Sequence, residues 1–174
     1  NDGDGVEIRT LDASDSFLTI TIRDNVMTEN SDDGIQIIDD DTVGDTNALL
    51  IIDRNLIARN ALAGIGLMDL GETTEDYRAA SLSERVHVFN NTLIGNNHGL
   101  TGGDNLVAIN NIFMDHTNIA VKETDGNSVV ANSLFWNNGV DQSGSNVDTT
   151  STVNADPQLD EAAQLLPLSP AIDA

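Results

Sequence analysis

The feature of this sequence that most constrains its fold is an internal repeat centred on asparagine. Five segments align on one Asn, with an apolar residue three positions before it and another two positions after it: Ile22–Met27, Ile52–Ile57, Val88–Leu93, Ala108–Phe113 and Val129–Leu134. The aligned residues are Asn25, Asn55, Asn91, Asn111 and Asn132. Apolar residues also alternate with period two on the approach to the Asn, which is typical of a β-strand. The repeat therefore predicts a strand, a corner at the Asn and a second strand.

A second polar position and a small residue complete each repeat. Five residues beyond the aligned Asn stands another Asn in four repeats and His116 in the remaining one, and a third strand begins soon after, as at Gly34-Ile35 and Gly64-Ile65. The aligned Asn residues lie 30, 36, 20 and 21 residues apart, and the two long intervals contain polar insertions. A unit of this kind buries its apolar face only by stacking on its neighbours. The sequence predicts an all-β parallel β-helix, a solenoid of about six coils of three short strands with an Asn ladder at one corner.

The repeated pattern also resembles a known family. The motif Asn-Asn-x-Leu/Ile-x-x-Asn-x-x-Gly-Ile, present over residues 5–140, is similar to the right-handed parallel β-helix repeat of the pectate-lyase-like superfamily, and the tail is similar to a C-terminal segment of many secreted bacterial β-helix proteins. The resemblance implies a location outside the cell or on its surface, as part of a larger secreted protein. We expect coils over residues 1–146, with loop insertions at 39–47 and 69–83, and a C-terminal capping segment over 147–174.

The charge of the chain limits its partners. It has 29 acidic and 7 basic residues and a formal net charge of −22. Such a polyanion is repelled by nucleic acid and by anionic membranes, because affinity for phosphate comes from Lys and Arg. No apolar run reaches the ~20 residues that span a bilayer, so we expect no membrane insertion, and no Cys is present to build a disulfide scaffold or a thiolate metal site.

A candidate carbohydrate-binding face follows from the resemblance, because such proteins usually bind along the third strand and the loop after it. Alternation on these strands directs Gln36, Met68, Thr101 and Lys122 outward. A lyase of this superfamily would need a Lys or Arg base, for which Lys122 and Arg9 are the candidates on this face. They lie four coils apart, about 19 Å at one rung spacing per coil, which is too far to act on one glycosidic bond.

Acidic turns suggest a calcium site. Ca²⁺ takes six to eight oxygen ligands, and stacked Asp-rich turns can supply them from two rungs. The candidate ligands are Asp2, Asp4, Asp32 and Asp33 at one corner, and Asp39, Asp41 and Asp69 in the two long loops. The alternative is a generally acidic, solvated surface.

Three function classes remain open. The first is a non-catalytic extracellular module that binds or displays, with carbohydrate as ligand and Ca²⁺ as stabiliser. The second is a fragment of a uronate-polysaccharide lyase or epimerase. The hydrolase motif Arg-x-Lys and the epimerase motif Asp-Pro-His-Asp are both missing from the sequence. The third is a structural unit of a surface protein or filament that associates end to end.

Overall fold

The structure of the protein is a computed structural model, which describes residues 3–10, 17–39, 48–71, 74, 77–82 and 84–172. It contains 17 short strands: β1 Val6–Thr10, β2 Leu18–Arg23, β3 Val26–Thr28, β4 Ile35–Asp39, β5 Ala48–Asp53, β6 Leu56–Ala58, β7 Ala63–Met68, β8 Arg85–Phe89, β9 Thr92–Ile94, β10 His98–Thr101, β11 Leu106–Ile109, β12 Ile112–Met114, β13 Ile119–Lys122, β14 Val129–Ala131, β15 Leu134–Trp136, β16 Val140–Ser143 and β17 Val153–Asn154. Within these ranges no residue is helical, so no helix there could cross a membrane.

The strands form three parallel sheets along one axis. Sheet A has the order β1-β4-β7-β10-β13-β16, sheet B the order β14-β11-β8-β5-β2, and sheet C the order β17-β15-β12-β9-β6-β3. Each strand from β4 to β16 pairs with the strand three positions earlier in the chain, which lies one coil before it, as in a right-handed parallel β-helix. The predicted fold class is therefore confirmed.

The core is built from apolar columns that run from coil to coil. In sheet A, Ile35, Ile65, Leu100 and Val121 pair in register and are completely buried. Sheet C contributes a column that ends in two stacked rings, of Phe113 and Phe135, whose centroids are 5.1 Å apart. Since parallel strands place equivalent residues one above the other, a repeat in sequence becomes a continuous stack in space.

The predicted Asn ladder lies at the corner between sheets B and C. The backbone N–H of Asn55 donates to Oδ1 of Asn91 at 2.9 Å, and the N–H of Asn91 donates to Oδ1 of Asn111 at 2.9 Å. The side-chain amides donate to the same oxygens and to carbonyl groups of the preceding coil, such as Asn91 Nδ2 to Ile52 O at 2.9 Å. These bonds satisfy buried backbone groups at the corner, which the hydrogen bonds between strands leave without partners.

The fifth member of this ladder is Ser133, so the predicted alignment on Asn132 was wrong by one residue. The N–H of Asn111 donates to Oγ of Ser133 at 3.2 Å, and Val130 pairs with Ala108. The slip arose because Val129 and Leu134 fit the apolar pattern, although Val129 is exposed and Val130 is buried. Asn132 instead takes the exposed corner position before the ladder, with φ of 46°.

A second ladder lies at the corner between sheets C and A. Asn30 donates to Oδ1 of Asn60, and Asn60 donates to Oδ1 of Asn96 at 2.9 Å through both its backbone N–H and its side-chain amide. His116 follows, and its N–H donates to Oδ1 of Asn138 at 3.1 Å, so the last member is Asn138 and not Asn137, the Asn five residues beyond Asn132. The sequence signal for this ladder was the second Asn of each repeat.

Glycine at the start of the third strand leaves space for the Asn side chains of this ladder. A Cβ on Gly64 would lie 2.8 Å from the carbonyl oxygen of Gly99 and 2.9 Å from Nδ2 of Asn96. Such contacts are too short for a real Cβ, so the Asn amide can fill this corner only because the side chain of glycine is absent.

The C-terminal region continues two of the sheets. Val147 forms a parallel bridge with Val130 of sheet B, and β17 pairs with β15 of sheet C. An antiparallel bridge between Leu159 and Leu165 folds the remaining tail back on itself. The boundary that we expect between coils and capping segment stays a prediction.

Candidate functional site

The outer face of sheet A, where carbohydrate binding was expected, is covered by residues 77–82. Gln36, Met68 and Thr101 are directed outward, yet they are 2%, 3% and 0% exposed. Tyr77 is the part of this segment that lies on the outer face, since a Cβ on Gly66, which pairs with Gln36 and Thr101, would lie 3.3 Å from Cε1 of Tyr77. A polysaccharide therefore cannot reach these three side chains in this structure.

Tyr77 anchors the covering segment through a polar cluster. Its hydroxyl group donates to Oδ1 of Asp33 at 2.5 Å, and its ring lies edge-on to the ring of His98 with centroids 5.2 Å apart. Nζ of Lys122 lies 5.9 Å from the centre of the same ring, a cation–π contact. The backbone of Tyr77 has φ of 47°, a left-handed conformation that is costly for a bulky residue and persists only where surrounding contacts impose it.

The surroundings of His98 in this cluster favour its neutral form. Burial lowers the pKa of His98, and the positive charge of Lys122 lowers it further. Tyr77, Asp33 and His98 are all at most 5% exposed. The cluster thus contains groups that could transfer protons, but it is closed to a polymer.

Arg9 and Lys122, the two candidate bases, are not brought together. Arg9 lies on β1 and forms an ion pair of 3.0 Å with Glu7 of the same strand. Lys122 lies on β13, four strands further along sheet A. One catalytic centre cannot contain both.

The carboxylates at the acidic corner accept hydrogen bonds from backbone N–H groups. Oδ1 of Asp4 accepts the N–H of Asp33 at 2.8 Å, and Oδ1 of Asp33 accepts the N–H of Ala63 at 2.6 Å. Each carboxylate therefore binds the backbone of the next coil, as the ladder Asn residues do. Asp32 beside them is partly buried.

The other candidate calcium ligands are separately placed. Asp39 accepts from the hydroxyl group of Thr10 at 3.2 Å, and Asp69 accepts from the N–H of Ser81 at 3.0 Å. Asp2 and Asp41 lie outside the described residues. In the part of the chain that the structure describes, no three acidic or histidine side chains converge as a metal site would require.

An open groove of about 390 Å³ lies on the other side of the molecule, outside the first ladder corner. Its floor comes from three successive coils, and the C-terminal tail forms one wall with Leu165 and Ala171. We refer to it as the asparagine groove; it is lined by Asn90, Asn91, Thr92, Asn110, Asn111, Ile112, Asn132, Ser133, Leu134, Val153, Leu165 and Ala171. Its volume is in the range of small-ligand pockets, about 300 to 1,000 Å³.

Three exposed amides line this groove one rung apart. Asn90, Asn110 and Asn132 have φ of 56°, 60° and 46°, and Asn tolerates this conformation better than most residues. Nδ2 of Asn90 is held by Oδ1 of Asp53 at 2.9 Å. Nδ2 of Asn110 also donates to Oδ1 of Asn90 at 3.5 Å. The amides lie at a repeat of about 4.8 Å, and only their remaining donor and acceptor sites face the groove.

The asparagine groove was not predicted, although the sequence contains a signal for its amides. Asn-Asn pairs occur at 90–91 and 110–111, and the first Asn of each pair belongs to the repeated motif but was not assigned a binding role. The contribution of Leu165 and Ala171 comes from far along the chain and has no local sequence signal.

The chemistry of the asparagine groove is that of a binding site. Its lining contains amides, hydroxyl groups and aliphatic side chains, and none of its described lining residues is titratable. It offers no general acid or base. Such a surface suits an uncharged ligand with hydroxyl groups.

Comparison with known proteins gave no relative from which a site could be transferred: no protein-family model, curated protein or solved structure matches this chain.

Proposed function

We propose that this chain is a non-catalytic extracellular β-helix module of the pectate-lyase-like superfamily that binds a neutral polysaccharide in the asparagine groove. The observation that carries the proposal is the row of Asn90, Asn110 and Asn132 along a groove without titratable lining groups. Each amide can both donate to and accept from a sugar hydroxyl group. Leu165 and Val153 supply apolar surface for the C–H groups of a sugar ring.

The charge of the chain favours a neutral glycan over a uronate. With a formal net charge of −22, the protein repels an anionic polymer. A uronate would require a cationic partner, and the lining of the asparagine groove contains no Lys or Arg.

Calorimetric titration with neutral and anionic oligosaccharides tests the proposal. The probes are cello-, xylo- and manno-oligosaccharides on one side and oligogalacturonate on the other. We expect binding of a neutral oligosaccharide and none of oligogalacturonate. Asn110→Gly removes the central amide while keeping the left-handed backbone that glycine adopts freely, and it should raise the Kd at least fivefold.

Asn137→Gly is the matched control. Asn137 is also exposed at a corner with positive φ, of 54°, but it lies outside the asparagine groove. Equal affinity of the wild type and of Asn110→Gly would contradict this site, and absence of binding to every neutral probe would contradict the function. Release of unsaturated uronate, measured by ultraviolet absorption, would support the lyase alternative.

A second candidate function is end-to-end association. Among the residues that the structure describes, strands β1, β2 and β3 each pair on one side only, and Leu18 and Val26 at this end are 49% and 70% exposed. Unpaired strand edges are templates for added strands. Light scattering after size-exclusion chromatography should show a molar mass that rises with concentration if this role is correct, and a constant monomer mass if it is wrong.

A further inference from the structure

The outer face of sheet C carries two columns of side chains, and the asparagine groove uses only one of them. Thr92, Ile112 and Leu134 pair in register and form the floor of the groove. The central residues of β12 and β15, Phe113 and Phe135, point into the core. Because alternate residues of a strand face the same side, the third residue of each strand lies on the outer face as the first does. A second outer column therefore runs beside the floor of the groove.

This second column is apolar and ends in the one tryptophan of the chain. Its paired members are Ala58, Ile94, Met114 and Trp136. Trp136 follows Leu134 on the same face of β15, about 6.6 Å further along the strand. A ligand that extends out of the groove across sheet C would therefore meet Trp136 next.

Trp136 is also the most exposed member of this column. It is 36% exposed, whereas Ala58 at the other end is 2% exposed. The described pairing of β15 with β17 includes Leu134 and Phe135 and stops before Trp136. Trp offers a wide and rigid contact surface at a low cost in conformational entropy, and it is enriched at binding surfaces. Its place beside the groove is therefore suited to contact with a ligand.

The packing of the core does not explain why this residue is a tryptophan. The rings that fill the core at this end are those of Phe113 and Phe135, which are 0% and 4% exposed. Trp136 lies on the opposite side of the sheet, where Ile94 and Met114 cover the neighbouring coils. An aliphatic side chain is enough to cover a sheet, whereas stacking on a ligand requires a flat ring.

We infer that Trp136 stacks on a sugar ring of the polysaccharide bound in the asparagine groove, so that the ligand is a chain of several neutral sugar units that extends across sheet C. The C–H groups of a sugar ring carry a partial positive charge and pack on the electron-rich face of an aromatic ring. Trp136 and its neighbour Met114 are uncharged, which fits a neutral ligand. This extension of the site rests on the proposed function. Asn137, at the corner beyond Trp136, donates to Asp115 at 2.6 Å and is not part of the contact.

Titration with neutral oligosaccharides of two lengths tests the inference. The probes are the disaccharides and hexasaccharides of the cello, xylo and manno series, and the readouts are the Kd from calorimetry and the fluorescence of tryptophan. Because the chain has one Trp, the emission reports on Trp136 alone. For the series that binds, we expect the hexasaccharide to have a Kd at least fivefold below that of the disaccharide. We also expect the hexasaccharide to shift the emission to shorter wavelength, because stacking removes water from the indole ring.

Two substitutions separate stacking from a structural role. Trp136→Leu keeps an apolar side chain on the sheet but has no flat ring, so it should raise the Kd of the hexasaccharide at least fivefold and leave that of the disaccharide unchanged. Trp136→Phe keeps a smaller flat ring and should give an intermediate Kd for the hexasaccharide. Phe17→Leu is the control at another exposed aromatic residue, 56% exposed and before β2 at the far end of sheet B, and it should change neither Kd.

The outcomes distinguish a failure of this inference from a failure of the proposed function. Equal hexasaccharide affinity of the wild type and of Trp136→Leu would overturn the inference, whatever the emission does, and binding that still depends on Asn110 would leave the proposed function standing. An equal loss of affinity for both chain lengths would also overturn it, since the substitution would then act through the groove itself. If Trp136→Leu does not fold, an unchanged emission of the wild type at saturating hexasaccharide would overturn it. Absence of binding to every neutral probe would contradict both proposals.

Discussion

The hydroxyl group of Tyr77 donates a hydrogen bond of 2.5 Å to Oδ1 of Asp33, 44 positions earlier in the chain. The bond crosses from the segment that covers sheet A to the corner that precedes β4. Asp33 Oδ1 also accepts the N–H of Ala63 at 2.6 Å, so a single carboxylate oxygen ties together two coils and the covering segment.

Tyr77→Phe should loosen the covering segment. Loss of one buried hydrogen bond to a carboxylate should lower the free energy of unfolding by about 1–3 kcal/mol. Amide hydrogen exchange should increase for Gln36 and Thr101, which this segment covers. Ser81→Ala, at an exposed site of the same segment, should change neither quantity; unchanged exchange in Tyr77→Phe would show that other contacts hold the segment.

Asn91→Ala tests the first ladder. The side chain of Asn91 accepts from Asn55 and donates to Ile52 and Asn111, and all of these bonds are buried. Because removal leaves several backbone groups unsatisfied, the free energy of unfolding in urea should fall by at least about 2 kcal/mol. Asn118→Ala, at an exposed site, should cost less than about 0.5 kcal/mol; equal costs would contradict a structural role of the ladder.

Ser133→Asn tests the corrected register. Ser133 accepts the N–H of Asn111, and an Asn at this position would extend the ladder by one amide. We expect a gain of about 0.5–1 kcal/mol in the free energy of unfolding, the usual value of one added hydrogen bond. A loss of stability on this substitution would show that the fifth coil is too tight for the longer side chain.

His116 should make the protein sensitive to mild acid. Burial lowers the pKa of His116 to about 4, against a usual value near 6.5, and Nε2 has no hydrogen-bond partner. The native state therefore favours the neutral ring, so this stability is fully present above pH 6.5 and is lost as the pH falls from 6.5 towards 4. The shift corresponds to a loss of about 3 kcal/mol across that range.

Urea unfolding at pH 7.5 and pH 4.5 measures this loss. His116→Asn, which restores the residue used in the preceding coils, should lose less stability between the two pH values than the wild type. His87→Asn is the control at a partly exposed site. An identical pH dependence in the wild type and in His116→Asn would assign the acid sensitivity to the carboxylates.

The sequence predicted the elements that repeat and missed those that do not. The apolar columns recur from coil to coil and the ladder positions hold Asn in most coils, so one pattern located them; Ser133 and His116 are the exceptions. The covering segment contains Tyr77, Ala80 and Leu82, all buried, but it occurs once and its spacing matches neither helix nor strand. The asparagine groove had a partial signal in the Asn-Asn pairs, but its wall at the distant Leu165 had no local signal.

The ladder bonds have a direction, and this affects how the chain can acquire its structure. The N–H groups of Asn25, Asn55 and Asn91 each donate to a side-chain oxygen of the following coil. A coil at the growing end of the chain therefore has unsatisfied corner amides until the next coil is in place. During synthesis from the N-terminus, the corner N–H groups of each coil would find their acceptors only after the next coil has left the ribosome. A pause in translation therefore leaves only the most recently made corner with N–H groups that could pair wrongly.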